Sequence, residues 1–244
     1  MTRRRWIADE VSGDRAAIVG EQASHLARVL RARVGQEFEI AAVGRVRLGR
    51  VSDVSPQRVE FELGADVTQP ALPSLHLYLA IFKFDRMEWA IEKATELGVS
   101  SITPLVAQRS EKNLCVAAEK RVERWRRIAR EAAQQSRRAT PPEVVSPVKL
   151  SDALKVQADI RIALAPEGAP LLARFGRSER TPDSPTMQRG TTVLLAGPEG
   201  GWTDGELQLF HDSGWNLASL GPTILRAETA AIAAVSVVTQ FLAA

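Results

Sequence analysis

Thr192-Val193-Leu194-Leu195-Ala196-Gly197-Pro198-Glu199-Gly200-Gly201-Trp202 is the stretch that decides the fold. Its first five residues carry no charge and suit a strand buried on both faces, as strands of parallel sheets are. A glycine-rich turn follows directly, and residues 203–212 then read as a helix. Strand, glycine turn and helix form the repeating unit of an open α/β sheet, whose ligands sit at the carboxyl ends of the strands. Glycine there lets the backbone turn sharply and approach a ligand closely. The same composition also serves a plain strand-to-helix turn. The turn is not a P-loop, since no Gly-Lys-Ser/Thr follows, and it lacks the Gly-x-Gly-x-x-Gly spacing of dinucleotide sites.

The alternation continues on both sides. Upstream, Leu75-His76-Leu77-Tyr78-Leu79-Ala80-Ile81 reads as a buried strand. Residues 86–97 read as a helix with Met87, Ile91, Ala94 and Leu97 inward and Gly98 ending it. Residues 101–106 and 160–164 are further strands, and residues 120–138 a long basic helix. Downstream, residues 226–242 form a helix. The pattern predicts a parallel sheet covered on both faces. Residues 177–190, polar and irregular, read as a surface loop.

The first seventy positions differ. Residues 37–40, 45–51 and 57–63 alternate with the two-residue period of half-buried strands. Residues 21–33 read as one helix with Leu26, Val29 and Leu30 on one side. This is a small β-barrel-like module. Pro70-Ala71-Leu72-Pro73 then marks a linker, which gives one domain over residues 1–70 and a second over 74–244.

Composition bounds the function. The 244 residues are 45% hydrophobic and 25% charged, an ordinary globular balance. The net charge is +3 and the pI about 9.3, with much of the positive charge on arginine. Cys115 is the single cysteine, which excludes an internal disulfide and a cysteine-based metal site. His25, His76 and His211 are too scattered for a zinc site, so no metal is expected. The opening Met1-Thr2-Arg3-Arg4-Arg5-Trp6 has no apolar run behind it and does not read as a secretory signal. Residues 230–244 are short for a membrane span and carry Ser236, Thr239 and Gln240. The expected location is cytoplasmic, with no membrane partner.

Two further constellations stand out. Leu220-Gly221-Pro222-Thr223-Ile224-Leu225-Arg226-Ala227-Glu228-Thr229-Ala230 is a glycine-proline turn leading into a helix. Glu228 suits the helix start as a cap partner, whereas Arg226 opposes the dipole there and needs another reason. The helix beyond is rich in alanine, which serves core packing or a dimer seam. In the basic region, Arg109, Lys112, Lys120, Arg121, Arg124, Arg126, Arg127, Arg130, Arg137 and Arg138 outnumber the neighbouring glutamates. That is either a solvated face or a phosphate-binding surface. Trp125, at helical spacing with Ile128 and Ala132, reads as core.

Together these pieces resemble the bacterial 16S ribosomal RNA uracil-N3 methyltransferases of the SPOUT class of knotted methyltransferases. The resemblance rests on residues 25–31, 93–99, 109–112 and 131–137, on Gly197 to Trp202 and on Leu220 to Ala230, which follow the family order along almost the whole chain. Residues 177–190 look long for the family, and Pro222 and Thr223 stand where such loops vary. The resemblance implies a PUA-like RNA-binding domain, then an α/β domain with a C-terminal trefoil knot, assembled as a homodimer. It implies S-adenosylmethionine held by Gly197, Pro198, Gly200 and Gly201 and by Leu220, Gly221, Ile224 and Leu225, with Leu164, Ala165, Pro166 and Leu195 completing the walls. The implied substrate is 16S ribosomal RNA or the small ribosomal subunit, contacted by Arg28, Arg31, Lys93, Arg109, Lys112, Arg126, Arg130, Gln135, Ser136 and Arg137.

The implied chemistry asks for few groups. N3 of a uracil must lose its proton, and a cation near the uracil carbonyl oxygens stabilises the anion. Arg226 is the first choice for that cation. Glu199 and Glu228 are both candidates for base or orienting group, and the sequence does not separate them. Two rivals remain: a non-catalytic RNA-binding or ribosome-assembly protein on the same fold, and a related enzyme acting on a ribose 2′-hydroxyl or on transfer RNA.

Overall fold

The computed structural model describes residues 5–171 and 190–243, so most of the stretch 177–190 lies outside the described residues. The chain separates into two compact units. One is Met1–Ala71 with Ala133–Pro141, and the other is Leu72–Ala132 with Pro142–Ala244.

The first unit is a six-stranded sheet of β1 (Arg5–Ile7), β2 (Glu10–Ser12), β3 (Arg15–Val19), β4 (Glu37–Ala42), β5 (Arg45–Val54) and β6 (Arg58–Asp66). The order is β1-β4-β5-β6-β3-β2, with every pair antiparallel except β1 and β4. Alternation sets its core: β6 buries Val59, Phe61 and Leu63 against Phe38, Ile40 and Ile18. The helix expected over residues 21–33 is two pieces, an α-turn over Gly20–Ser24 and a π-helix over His25–Val29. The wider π turn shifts the phase of the side chains. Leu26 is fully buried and Leu30 partly so, but Val29, expected on the same side, is exposed. Single π turns of this kind are rare and frequently occur at functional sites.

The second unit is a seven-stranded, wholly parallel sheet. It contains β7 (Leu75–Ala80), β8 (Ser101–Val106), β9 (Glu143–Val144), β10 (Val148–Lys149), β11 (Ile160–Pro170), β12 (Thr192–Ala196) and β13 (Asn216–Ser219). The order is β10-β8-β7-β12-β11-β13, with β9 also on β8. Successive residues serve opposite faces. Leu75, Leu77, Leu79, Leu194 and Ile162 pack under the helices Phe84–Glu96, Val122–Gln135 and Ala227–Ala243. Val193, Leu195 and Ala163 pack on the other face with Leu150, Trp202, Phe210 and Trp215. Each such fully buried leucine is worth about 2 kcal/mol against exposure. The helix expected over residues 120–138 runs over Val122–Gln135, entered through a 3-10 turn over Glu119–Arg121, and the loop upstream of it contains a further helix over Lys112–Ala118. Trp125 is fully buried in it, with the Phe84 ring edge-on at 5.8 Å.

One strand is irregular in a way that matters below. On β11 both Leu164 and Ala169 are register partners of Ala218 on β13, so residues 165–168 leave the sheet and the chain returns to the same neighbour. Gly168 closes that excursion against the β13 backbone. A Cβ on it would lie 2.5 Å from the Leu217 carbonyl carbon and 2.6 Å from the Ala218 Cα.

Candidate functional site

β12, β11 and β13 are adjacent, and the loops at their carboxyl ends, residues 165–168, 197–202 and 219–226, converge on a cleft of about 670 Å³. That is the size and place of a small-molecule site in an open α/β sheet.

The loop after β12 is held from three sides. The Trp202 indole Nε1 donates to the Leu164 carbonyl at 2.8 Å, joining this loop to β11. Its ring lies under Gly197, where a Cβ would come to 3.0 Å of it, a contact tight enough that the indole would have to give way. Arg109 Nη1 donates to the carbonyls of Gly200 (2.9 Å) and Trp202 (3.0 Å). Arg86 Nη1 donates to Glu199 Oε1 at 2.6 Å. The helix Asp204–Asp212 then starts on a capping box between Thr203 and Glu206, and the other Glu206 oxygen accepts from the Gln108 amide at 2.8 Å.

The loop after β13 is the opposite case. Among the described residues no backbone amide from Gly221 to Arg226 donates within the protein. Gly221 holds φ +122, a conformation closed to a branched side chain. Residues 221–224 are exposed, and Ile224 is 95% exposed. A loop that bares both its amides and a large apolar side chain is built to be covered by a ligand or partner.

The candidates for catalysis are separated by the structure. Arg226 lines the cleft, is exposed, and its guanidinium makes no hydrogen bond or ion pair with a described residue. Glu199 lines the cleft but is already engaged by Arg86. Glu228 does not line it. It is buried behind Ala227, with Oε1 3.8 Å from Arg86 Nε and Oε2 without a hydrogen-bond partner. Arg86, which the sequence reading missed, thus stands between the two carboxylates. Its partner Glu199 is 113 positions away, and no local pattern announces such a pair.

Of the residues assigned to the cofactor, Leu164, Ala165, Pro166, Gly197, Pro198, Gly200, Gly201, Leu220, Gly221, Ile224 and Leu225 all line the cleft. Leu195 does not: it points into the core beneath, with Phe210 and Trp215. Trp202 and Ser219 line it and were not assigned.

The residues assigned to RNA divide differently. Lys93 is pinned between Glu92 (2.6 Å) and Glu96 (2.8 Å), late in a helix that runs back from the cleft end of β7. Arg109 is the clamp just described. Arg126 donates to the Val144 carbonyl (3.0 Å) and pairs with Glu123 (2.5 Å). Arg130 is half-buried, and Lys112 starts its helix exposed. In the first unit Arg28, Arg31, Gln135 and Arg137 are exposed, and Ser136 bonds back to the Ala133 carbonyl at 3.4 Å.

Comparison with known proteins agrees with this geometry. Residues 69–239 match the RNA methyltransferase domain family and residues 18–64 the RNA methyltransferase PUA domain family. The ribosomal RNA small subunit methyltransferase E of Mycobacterium tuberculosis (strain CDC 1551 / Oshkosh) is 36% identical over 233 residues, covering 93% of this chain and 87% of the relative. That of Aquifex aeolicus (strain VF5) is 30% identical over 219 residues, covering 88% of this chain and 90% of the relative. A crystal structure of ribosomal RNA small subunit methyltransferase E from Neisseria gonorrhoeae, bound to S-adenosyl methionine, superposes with a TM-score of 0.81 at 27% identity over 98% of each chain. The chain, a PUA-like domain joined to an α/β domain of the SPOUT class, belongs to the ribosomal RNA small subunit methyltransferase E family.

Proposed function

We propose that this protein transfers a methyl group from S-adenosylmethionine to N3 of a uridine in 16S ribosomal RNA, working in the cytoplasm as a homodimer. The observation that carries the reading is the cleft: three glycine-bearing loops at adjacent strand ends, one of them with its backbone amides unspent. Such a site suits the proposed cofactor. Leu164, Leu220, Ile224 and Leu225 offer apolar cover for a flat adenine, and the free backbone N–H groups of Gly221 and of residues 223–226 can read its edge. When bound, S-adenosylmethionine supplies a methyl group on a sulfonium, ready for an in-line nucleophile.

The residues of this chain then do three things. They fix the two reactants in line, which is the largest part of the work. Arg226 faces the cleft with an unpaired cation that stabilises negative charge on the uracil carbonyl oxygens as N3 loses its proton. Glu199 and Glu228 are the candidates to receive that proton: Glu199 lines the cleft, oriented by Arg86, and Glu228 is buried on the other side of the same arginine. The substrate follows from the relatives' name and the PUA-like domain, with the N3 position following from the family resemblance. No described helix is long and apolar enough to cross a membrane.

The excursion at residues 165–168 and the close crossing at Gly168 support a trefoil knot through these loops. The dimer reading rests on the helix Ala227–Ala243, where Ala230, Ala233 and Ser236 stay half-exposed, small enough for a second helix to approach closely. Light scattering should therefore report twice the 26.6 kDa chain mass, and a fully active monomer would remove the dimer.

Nucleoside mass spectrometry of 16S RNA incubated with protein and S-adenosylmethionine should show 3-methyluridine. A ribose-methylated product, or none, would overturn the assignment. Gly221→Val should abolish cofactor binding in calorimetry with the circular dichroism spectrum unchanged, because valine cannot hold the φ of +122 that shapes the loop. Undiminished affinity in that variant would move the cofactor elsewhere.

A further inference from the structure

Three described residues other than glycine hold a left-handed backbone: Arg31 (φ +51), Val43 (φ +49) and Arg137 (φ +58). Val43 and Gly44 (φ +75) form the two-residue turn between β4 and β5, which requires positive φ at both positions. The two arginines answer to no such rule. Each stands just past a helix end, where the left-handed residue is usually glycine.

At the end of Val122–Gln135, the Arg137 amide donates to the Gln134 carbonyl (3.2 Å) and the Arg138 amide to the Ala133 carbonyl (2.8 Å). These are the paired bonds of a Schellman ending with Arg137 in the glycine position. After the π-helix His25–Val29, the Ala32 amide donates to the Leu26 carbonyl (3.0 Å) across Arg31. Both arginine side chains are exposed and bond to no described residue. A Cβ is strained in this region, and residues held there cluster at functional sites. A basic group near a helix end gains something from the dipole, but lysine or arginine one turn earlier would gain it without strain.

The Arg137 turn is also held from inside. Arg5 has a side chain only 5% exposed. It grips Glu39 Oε2 through Nε (3.0 Å) and Nη2 (2.6 Å), and its Nη1 donates to Gln69 Oε1 (2.6 Å) and to the Arg137 carbonyl. A buried cation thus spends a donor on the strained residue itself.

We propose that Arg31 and Arg137 are phosphate contacts through which the first unit holds RNA, kept in left-handed turns for that purpose, and that buried Arg5 is the positioning residue for Arg137. The proposal rests on the RNA methyltransferase reading and deepens it by naming where the backbone of the RNA is gripped. A guanidinium on a fixed turn offers phosphate a planar pair of donors with little freedom left to lose.

The test is to replace a functional side chain by the residue the backbone prefers. Arg31→Gly and Arg137→Gly should melt at or above the wild-type temperature. Each should weaken binding of a 16S RNA fragment by roughly fivefold and lower the slope of log affinity against log salt by about 0.7–0.9, the share of one phosphate contact. Calorimetric S-adenosylmethionine affinity should stay at the wild-type value. Arg5→Lys should weaken RNA binding in the wild-type background and add nothing in the Arg137→Gly background, since coupled residues are not additive. Glycine variants that bind RNA with wild-type affinity and slope, or that melt several degrees lower, would overturn the proposal, as would additive losses for Arg5→Lys. Wild-type protein that binds no ribosomal RNA would overturn the methyltransferase reading as well, whereas wild-type binding with unaffected variants removes this inference alone.

Discussion

Gly168→Ala should destabilise the second unit by about 3 kcal/mol or more, beyond the usual range for one added methyl, because the added atom meets backbone rather than a side chain. The Cβ would sit 2.5 Å from the Leu217 carbonyl carbon and 2.6 Å from the Ala218 Cα. A side chain in the way can change rotamer, but two crossing main chains can separate only by breaking the β11–β13 pairing that Leu164, Ala169 and Pro170 make on either side. For a unit of this size the loss is a fall in melting temperature of roughly 6–12 °C, and Gly168→Val should fail to accumulate as folded protein. Cofactor binding should suffer with stability, since residues 164–166 wall the cleft just before the crossing. Gly205→Ala is the matched control: Gly205 lies in the helix Asp204–Asp212 with nothing within 4 Å of an added Cβ, so alanine should stabilise by about 0.5–1 kcal/mol. If Gly168→Ala melts like wild type, the crossing is looser than described.

That crossing shows where sequence reading stops. The strand ending at Ala196 and its glycine turn were legible because an uncharged run before a cluster of glycines is a local pattern. The two glycine-bearing loops proposed to hold the cofactor were legible as turns for the same reason. β13, which delivers the second loop, was not. Asn216-Leu217-Ala218-Ser219 is too short and polar to read as a strand, and it is one only because it pairs with β11. Gly168 carries no local signal of its need for space, which is set by Leu217 and Ala218, about fifty positions away in a different strand. Residues 133–141, which begin within the helix Val122–Gln135, cluster with the first unit, and composition carries no trace of that.

Side-chain roles followed the same division. Arginine excess along residues 109–138 was visible, but which arginines are free was not. Arg109 serves the loop carbonyls, Arg124 grips Glu88 at 2.6 and 2.8 Å, and Arg126 holds Val144 and Glu123. Counting charges cannot separate spent guanidinium groups from available ones. The left-handed turns at Arg31 and Arg137 were equally hidden, because glycine or asparagine is what normally signals them.

Arg226→Ala should lower the single-turnover methylation rate by roughly a hundredfold or more, the scale of losing one donor to a developing anion. Three observations single this residue out. It lines the cleft, its guanidinium has no partner among the described residues, and it immediately precedes the helix Ala227–Ala243, whose dipole it opposes. Its carbonyl accepts from the Ala230 amide at 2.8 Å and starts the helix, a backbone role any residue could fill. The side chain therefore does nothing evident for the fold, and alanine should leave stability equal or raise it by about 0.3–1 kcal/mol by relieving the dipole. The competing account, in which Arg226 shapes the loop by pairing with Glu199 or Glu228, loses its partners to Arg86, which lies 2.6 Å from Glu199 and 3.8 Å from Glu228. If the cation acts on the uracil anion, S-adenosylmethionine and RNA affinities should change little, because an interaction made only in the transition state leaves ground-state binding alone. Arg226→Lys should recover part of the rate, since an ammonium restores the charge without the planar fork. Parallel loss of cofactor affinity and rate would return Arg226 to the loop, and methylation at the wild-type rate would remove it from the mechanism.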